Sequence, residues 1–332
     1  MILITGGLGY IGSHMTAALM AQGHEVIVVD NLSNARMDML ERLEYLAGRY
    51  VTFVRVDIRN TPALQKVFEQ YAITAVVHCA GLKVAADSPM QPLDYYNANV
   101  GGLMSLLRVM QRTGVRHLIY GSTALVYGDQ PSPLSEQLPA APQTPYANSC
   151  KFCEDMLHDL ALAETDWRIA VLRYFNVAGA HPTGVIGEWP NGISSNLMPF
   201  LAQAARGERE SVEVLGDDYE TVDGSAVRDY VHVMDVIDVQ MQAFHWLFSQ
   251  PHAFGVFNIG RGEGVSVKQM IAQFAALTER PIEMEVLPRR AGDVPELVAN
   301  IEQARTVLQW QPSRSLDDII QDTWKFYQSL NA

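Results

Sequence analysis

A tyrosine and a cysteine stand four residues apart in "TPYANSCKFCEDML", residues 144–157. On an α-helix, residues four apart share a face, so Tyr146 and Cys150 would lie together and Lys151 would point about 100° away. A phenol acts as a base near neutral pH only when a nearby cation lowers its pKa from about 10. A lysine at position 150 would supply that cation, and a neutral thiol does not. The stretch is therefore either a candidate acid–base site without such a cation or an ordinary amphipathic helix.

Two other interpretations of this stretch stay open. A local π-bulge would bring Lys151 back toward Tyr146 and make it the functional amine. Cys150 and Cys153 form a C-x-x-C pair, which is typical of redox sites when it lies at a helix N-terminus. This pair begins inside the apolar periodicity instead, and with His158 it matches no common zinc spacing. We interpret both cysteines as structural and expect no bound metal.

A second chemical signal is the glycine spacing in "ITGGLGYIGSHM". Gly6, Gly9 and Gly12 allow a tight turn and close approach to a pyrophosphate, which the N-terminus of the following helix attracts. Asp30 stands at the end of the next predicted strand, where a carboxylate binds both ribose hydroxyls of NAD and repels the extra phosphate of NADP. These residues predict an NAD site. Asp57, which ends the third predicted strand, is either an adenine neighbour or a turn residue.

The elements that position these residues alternate along the first half of the chain. Apolar runs separated by amphipathic stretches, such as His14–Gln22 and Val100–Thr113, predict an α/β fold with a doubly wound parallel sheet. We expect residues 1–176 to bind the dinucleotide and residues 177–332 mainly to form a smaller, irregular α/β substrate domain, with some segments returning to the first. The predicted strands are Ile2–Thr5, Glu25–Asp30, Thr52–Asp57, Ala75–Cys79, His117–Tyr120 and Arg168–Phe175.

The composition restricts the class of protein. The chain has 332 residues, of which 48% are apolar and 18% are charged, as in ordinary globular proteins. Its net charge of −13 argues against a nucleic-acid or anionic-membrane partner. Three cysteines, Cys79, Cys150 and Cys153, suit a reducing compartment. Because no stretch approaches a signal peptide or the roughly 20 apolar residues of a membrane helix, we expect a cytoplasmic protein.

Further motifs follow the glycine turn in a fixed order. They are "VVDNLSN", "VDIRN", "AGLKVAADS", "STALVYGD", "LRYFNVAGAHP", "NLMPF", "VRDYVHVMD" and "PRRAGD". Over essentially the whole chain the sequence resembles the UDP-glucose 4-epimerases of the extended short-chain dehydrogenase/reductase family. The resemblance implies a tightly held NAD, a UDP-hexose substrate and a homodimer. It also implies inversion at C4′ of the sugar, by oxidation, rotation of the 4-keto intermediate and re-reduction.

The resemblance also implies roles for individual residues. Tyr146 matches the catalytic base, Thr123 hydrogen-bonds the reacting hydroxyl, and Cys150 occupies the position of the family's lysine. The cofactor contacts correspond to Gly6, Gly9, Tyr10, Ile11, Gly12, Asp30, Asn31, Asp57, Ile58, Ala80, Lys83 and Tyr174. The substrate contacts correspond to Asn176, Asn196, Leu197, Arg228, Arg290, Asp293 and Leu297. Leucine at 297 is intermediate in bulk, so acceptance of N-acetylated sugars stays open.

With Cys150 in place of lysine, we expect catalysis to be impaired while the fold and the NAD site persist. A nucleotide-sugar dehydratase is a weaker alternative, because that reaction needs carboxylates beside the catalytic threonine and here Ala124 and Leu125 follow it. A non-catalytic protein that binds NAD and a UDP-sugar is the alternative from another class.

Overall fold

A parallel sheet of seven strands forms the centre of the computed structural model, which describes residues 1–192, 194, 196–290 and 292–330. In chain order the strands of the protein are β1 Ile2–Thr5, β2 Val26–Asp30, β3 Thr52–Arg55, β4 Ala75–His78, β5 His117–Thr123, β6 Arg168–Tyr174, β7 Asn176–Ala178, β8 Val212–Leu215, β9 Val227–His232, β10 Ala253–Ile259, β11 Gly264–Ser266, β12 Met284–Leu287 and β13 Glu296–Leu297. The spatial order of the large sheet, β10-β6-β5-β4-β1-β2-β3, confirms the predicted doubly wound fold.

Helices connect the strands and begin where local signals favour them. Ser266 and Ser315 each form a reciprocal capping box, and Thr144 accepts the N–H of Ala147 at the start of the longest helix. The helices are α1 Tyr10–Ala21, α2 Asp38–Ala47, α3 Thr61–Gln70, α4 Pro92–Tyr95, α5 Gly102–Thr113, α6 Pro145–Ala163, α7 Leu197–Ala205, α8 Val233–Ser249, α9 Val267–Thr278, α10 Glu302–Val307 and α11 Leu316–Ser329, with a π-helical turn at Tyr96–Gly101.

Both faces of the seven-stranded sheet are buried. Successive residues of β1 point to opposite faces, so Leu3 packs into one apolar cluster and Ile4 into another. Burial on both sides explains why the strands read as nearly continuous apolar runs, such as "VIVV" in β2. Each fully buried aliphatic side chain contributes about 1.5–3 kcal/mol, so the sheet is a rigid base for the loops at its edges.

Within the seven-stranded sheet, the observed strands extend the prediction at two places. β5 continues to Thr123, three residues beyond its predicted end, and this places Thr123 at the carboxyl edge of the sheet. β10 was not predicted; its segment follows α8 and pairs in parallel with β6 over its whole length. The pairing, rather than the short apolar run "AFGVFNI", identifies this segment as a strand.

The remaining strands form two small sheets beside the large one. β9 pairs with β7, β11 and β13, while β8 pairs with β12. Helices α7, α9 and α11 cover them around a core that includes Phe274 and Phe326. None of the helices in the described residues is long and apolar enough to cross a membrane.

Candidate active site

A cleft lies at the carboxyl edge of the large sheet, between β1 and β4. These strands are neighbours although the chain forms β2 and β3 between them, and such a switch point is where open α/β sheets bind ligands. The cleft contains a larger cavity of about 350 Å³ and a smaller one of about 310 Å³. Gly6 and Gly9 border both, so the two cavities adjoin at the glycine turn.

The glycine turn brings the backbone close to β4. Gly6 has a φ of +67°, and a Cβ atom there would lie 2.8 Å from the backbone nitrogen of Ala80. A Cβ on Gly12 would lie 2.2 Å from the carbonyl oxygen of Gly6. Because Gly9 precedes α1 without a side chain to cap it, the first amides of the helix stay available to an anion. Tyr10 and Ile11, the first two residues of α1, also line the larger cavity.

Asp30 lies at the end of β2 and borders the smaller cavity. Its carboxylate accepts the backbone N–H groups of Leu8, at 3.3 Å, and Leu32, at 2.9 Å. Burial raises the pKa of Asp30 from 3.8, while these hydrogen bonds oppose the shift. The remaining lone pairs of this oriented carboxylate suit the two hydroxyls of a ribose.

The smaller cavity also carries Asp57, the predicted adenine neighbour, and three further predicted cofactor contacts. Asn31, Asp57, Ile58 and Ala80 all line it. Asp57 accepts from Asn31 at 3.0 Å and from Arg59 at 2.7 Å, and the hydrogen bond with Arg59 holds the pKa of its carboxyl well below 3.8. Together with the glycine turn and Asp30, this lining fits the adenosine half of NAD.

Thr123 and Tyr146 both line the larger cavity. Thr123 ends β5, and Tyr146 follows Pro145 in the first turn of α6, so a strand end and a helix start bring them together. Burial raises the pKa of Tyr146 well above 10.0. The neighbouring Cys150 thiol raises it further, and the Thr123 hydroxyl opposes the shift. The described surroundings of Tyr146 thus favour the neutral phenol.

Cys150 lies one turn beyond Tyr146 and is buried in an apolar cluster that includes Val126, Phe175 and Leu297. Burial raises the pKa of its thiol, with smaller contributions from Cys153 and Glu154, so the thiol is neutral. Burial likewise raises the pKa of Cys153 to about 12. Neutral, buried thiols have little of the reactivity of a redox pair. Within the described residues there is no cluster of histidine, cysteine or carboxylate side chains suited to a metal.

Lys151 points to the outer side of α6. The helix is α-helical from Pro145 to Ala163, and the ammonium of Lys151 pairs with Asp155 one turn later. The π-helical turn of this region belongs to Tyr96–Gly101, which packs against α6.

The opposite wall of the larger cavity is basic. Arg228, on β9, is largely buried, and its guanidinium lies 3.9 Å from the carboxylate of Asp293. Arg290 is more exposed and binds the same carboxylate at 2.8 Å. Burial lowers the pKa of Arg228, whereas Asp293 raises it. Two guanidiniums facing one carboxylate leave a net positive charge that suits a diphosphate.

The remaining predicted substrate residues line the same cavity. Asn196 is the residue before α7, Leu197 begins that helix, and Asn176 begins β7. Leu297 on β13 lies opposite Arg228 on β9, so the register of this strand pair makes the two residues neighbours. Tyr174 ends β6, and Lys83 follows β4; both also line this cavity.

Sequence reasoning missed two features of the site. Tyr230 lines the larger cavity two residues after Arg228, and alternation along a strand could have indicated it. The second feature is a buried network in which Ser122 donates to Glu154 at 2.6 Å and Arg173 binds the same carboxylate at 2.6 Å. This network ties β5, α6 and β6 together beneath Thr123.

Comparison with known proteins agrees with this geometry. The model of the NAD dependent epimerase/dehydratase family matches residues 2–260. The chain belongs to this epimerase/dehydratase family. Within the family it is 43% identical to the UDP-glucose 4-epimerase of Yersinia pestis, over 99% of this chain and 98% of that protein. The resemblance to UDP-glucose 4-epimerases is therefore confirmed.

Solved epimerase structures share the fold over nearly their full length. The UDP-glucose 4-epimerase of Stenotrophomonas maltophila, with bound NAD and formylated UDP-arabinopyranose, gives a TM-score of 0.96 at 40% identity, covering 99% of this chain and 98% of that one. The enzyme of Bifidobacterium longum, in complex with NAD+ and UDP, gives a TM-score of 0.96 at 36% identity with the same coverage.

Proposed function

We propose that this protein is an NAD-dependent epimerase that interconverts UDP-glucose and UDP-galactose. The observation that carries the proposal is that Thr123 and Tyr146 line the same cavity as the basic wall around Arg228, beside the glycine turn. The cleft thus brings together groups suited to act as a base, to bind a diphosphate and to bind a dinucleotide. The epimerases similar to this chain bind NAD and a UDP compound in their solved structures.

In this proposal, residues 1–176 hold the cofactor and residues 177–332 mainly hold the UDP-sugar. When bound, NAD supplies reversible hydride exchange at C4′ of the sugar. Asp30 orients the adenosine ribose, and the first turn of α1 with Lys83 binds the pyrophosphate. Arg228 and Arg290 neutralise the substrate diphosphate, which anchors the nucleotide while the hexose turns.

Tyr146 takes the proton of the 4′-hydroxyl and returns it after the 4-keto sugar has rotated. Thr123 hydrogen-bonds the same hydroxyl and holds it beside the phenol. Because the position one turn beyond Tyr146 is a neutral thiol, the phenolate is scarce at neutral pH. We therefore expect slow turnover that rises with pH.

The decisive experiment measures conversion of UDP-galactose to UDP-glucose by the purified protein, with its NAD content recorded. Tyr146→Phe is the matched control, since it removes only the hydroxyl. Slow turnover that the control abolishes is expected. A protein that holds NAD and binds UDP-galactose without converting it at any pH would instead be a binding protein, and the proposal would fail.

We also propose that the protein forms a homodimer through α4, α5 and α6. Exposed apolar side chains lie on these elements or directly before them: Leu93 on α4, Met104 on α5, Phe152 on α6, and Met90 two residues before α4. Covering such a group is favourable at roughly 25 cal/mol per Å² of buried apolar surface. Sedimentation of the wild type and of Phe152→Glu tests the assignment, with a monomeric charged variant as the expected result and a monomeric wild type contradicting it.

A further inference from the structure

A buried carboxylate joins two walls of the larger cavity. Glu188, between β7 and α7, has a side chain that is 7% exposed. Its Oε1 atom accepts hydrogen bonds from Lys83 Nζ at 2.9 Å and from Asn196 Nδ2 at 2.6 Å. Both donors line the cavity, Lys83 from the loop after β4 and Asn196 from the start of α7. One oxygen atom therefore connects a cofactor-side lysine with a substrate-side amide.

Glu188 is held firmly behind these donors. The hydroxyl of Tyr327, on α11, donates to the backbone carbonyl of Glu188 at 3.0 Å. The Tyr10 hydroxyl, in the glycine turn, donates to the carbonyl of Gly179 at 2.6 Å. Tyr10, Gly179 and Glu188 border one small pocket, so Glu188 lies beside the first turn of α1. The hydrogen bond from Tyr327 anchors the backbone of Glu188, so its carboxylate provides an anchored acceptor for the two donors.

The charges at this point are suited to phosphate binding. The Lys83 side chain is 40% exposed, and an ammonium has three donors, of which Glu188 occupies one. The other donors can reach a ligand in the cavity. A buried carboxylate requires pairing, because leaving it unpaired costs several kcal/mol. Moving Lys83 or Asn196 away from Glu188 would remove a partner of this carboxylate and is therefore energetically unfavourable.

We propose that Glu188 is a positioning residue that couples the two halves of the cavity, so that bound UDP slows the loss of NAD. The inference rests on the proposed function, which places Lys83 at the cofactor pyrophosphate and Asn196 at the UDP loop. UDP fixes Asn196, Asn196 and Lys83 share one oxygen of Glu188, and Lys83 is thereby held against the pyrophosphate. By linkage, NAD strengthens UDP binding by the same factor as UDP strengthens NAD binding.

The test is the rate at which the purified protein loses NAD during dialysis, with saturating UDP and without it. The ratio of the two rates measures the coupling, and typical couplings are about 5- to 150-fold. Glu188→Ala removes both hydrogen bonds and should bring the ratio near one. Glu188→Gln keeps the shape and one acceptor oxygen but removes the charge. Because hydrogen bonds to charged groups are about twice as strong, its ratio should be intermediate.

A matched control is Asp235→Asn, on α8. Asp235 is a buried carboxylate that also pairs with a cation, Arg314, at 2.6 Å. Its ratio should equal that of the wild type. If the Glu188 variants lose NAD faster than the wild type by the same factor with and without UDP, the role of Glu188 is structural and the proposal is overturned. The isosteric Glu188→Gln variant allows this comparison even if Glu188→Ala does not fold. If the wild type loses NAD at the same rate with and without UDP but still converts UDP-galactose, the coupling is refuted and the proposed function is not. If UDP slows NAD loss but no conversion is detected, only the proposed function is refuted.

Discussion

Replacing Cys150 by lysine should make the protein a faster epimerase at neutral pH. Position 150 lies one turn beyond Tyr146 on α6, on the same face of the helix. At present a neutral thiol occupies it, and this thiol supplies no positive charge that would lower the pKa of Tyr146. An ammonium at this position would favour the phenolate that removes the substrate proton.

The magnitude follows from the population of phenolate. Burial holds the pKa of Tyr146 above 10.0, so fewer than about one molecule in 10³ is ionised at neutral pH. An opposite charge within about 4–6 Å lowers a pKa by about 1–3, and each step of one multiplies the phenolate about tenfold. Because a phenolate with a lower pKa is also a weaker base, we expect a gain in rate of about 10²-fold.

The assay is the initial rate of UDP-galactose epimerisation from about pH 6 to about pH 10. Cys150→Met is the matched control, since methionine has nearly the length of lysine without its charge. The lysine variant should be faster near neutral pH, and its rate should reach a plateau at lower pH than that of the parent. The methionine variant should gain nothing.

Two outcomes would refute this reasoning. If the lysine variant is no faster than the parent, the missing charge at position 150 is not what limits proton removal by Tyr146. Equal gains from lysine and methionine would assign the effect to packing. Lys151→Ala provides a further check: Lys151 pairs with Asp155 outside the site, so turnover should barely change. Loss of all turnover in that variant would make Lys151 the functional amine.

Three further predictions concern the ligands and the effect of acid. Asp30→Asn should reduce the preference for NAD over NADP, measured by calorimetry, because the amide no longer repels the 2′-phosphate; equal affinities in the parent would contradict the assignment. Arg228→Ala should weaken UDP binding by about 2–4 kcal/mol with NAD content unchanged, and the more exposed Arg290→Ala should weaken it less. Burial lowers the pKa of His14 from 6.5 to about 3, so its contribution to stability is present above pH 6.5 and is lost as the pH falls toward 3. Urea unfolding should therefore show a loss of about 2 kcal/mol between pH 6.5 and roughly pH 5 that His14→Gln lacks, and identical pH slopes would contradict it.

Much of the fold follows from local patterns in the chain. The glycine spacing predicted the turn before α1, since a Cβ atom on Gly12 would lie 2.2 Å from the carbonyl oxygen of Gly6. Buried apolar runs predicted β1 to β6, because a sheet covered on both faces requires them. The four-residue period of α6 predicted the contrast between Cys150 and Lys151. These features depend on neighbours within a few turns of chain, and such interactions can be read from spacing alone.

The tertiary structure decided which distant segments meet. β10 joins the large sheet beside β6, and Leu297 reaches Arg228 through pairing of β13 with β9. The residue spacing within β10 or β13 does not predict which strand it pairs with, because strand pairing depends on the packing of the whole chain. The same holds for Glu188, which joins Lys83 and Asn196 although 105 residues separate it from the lysine. Sequence alone determined the chemistry available at each position, and only the folded chain determined which groups share one cavity.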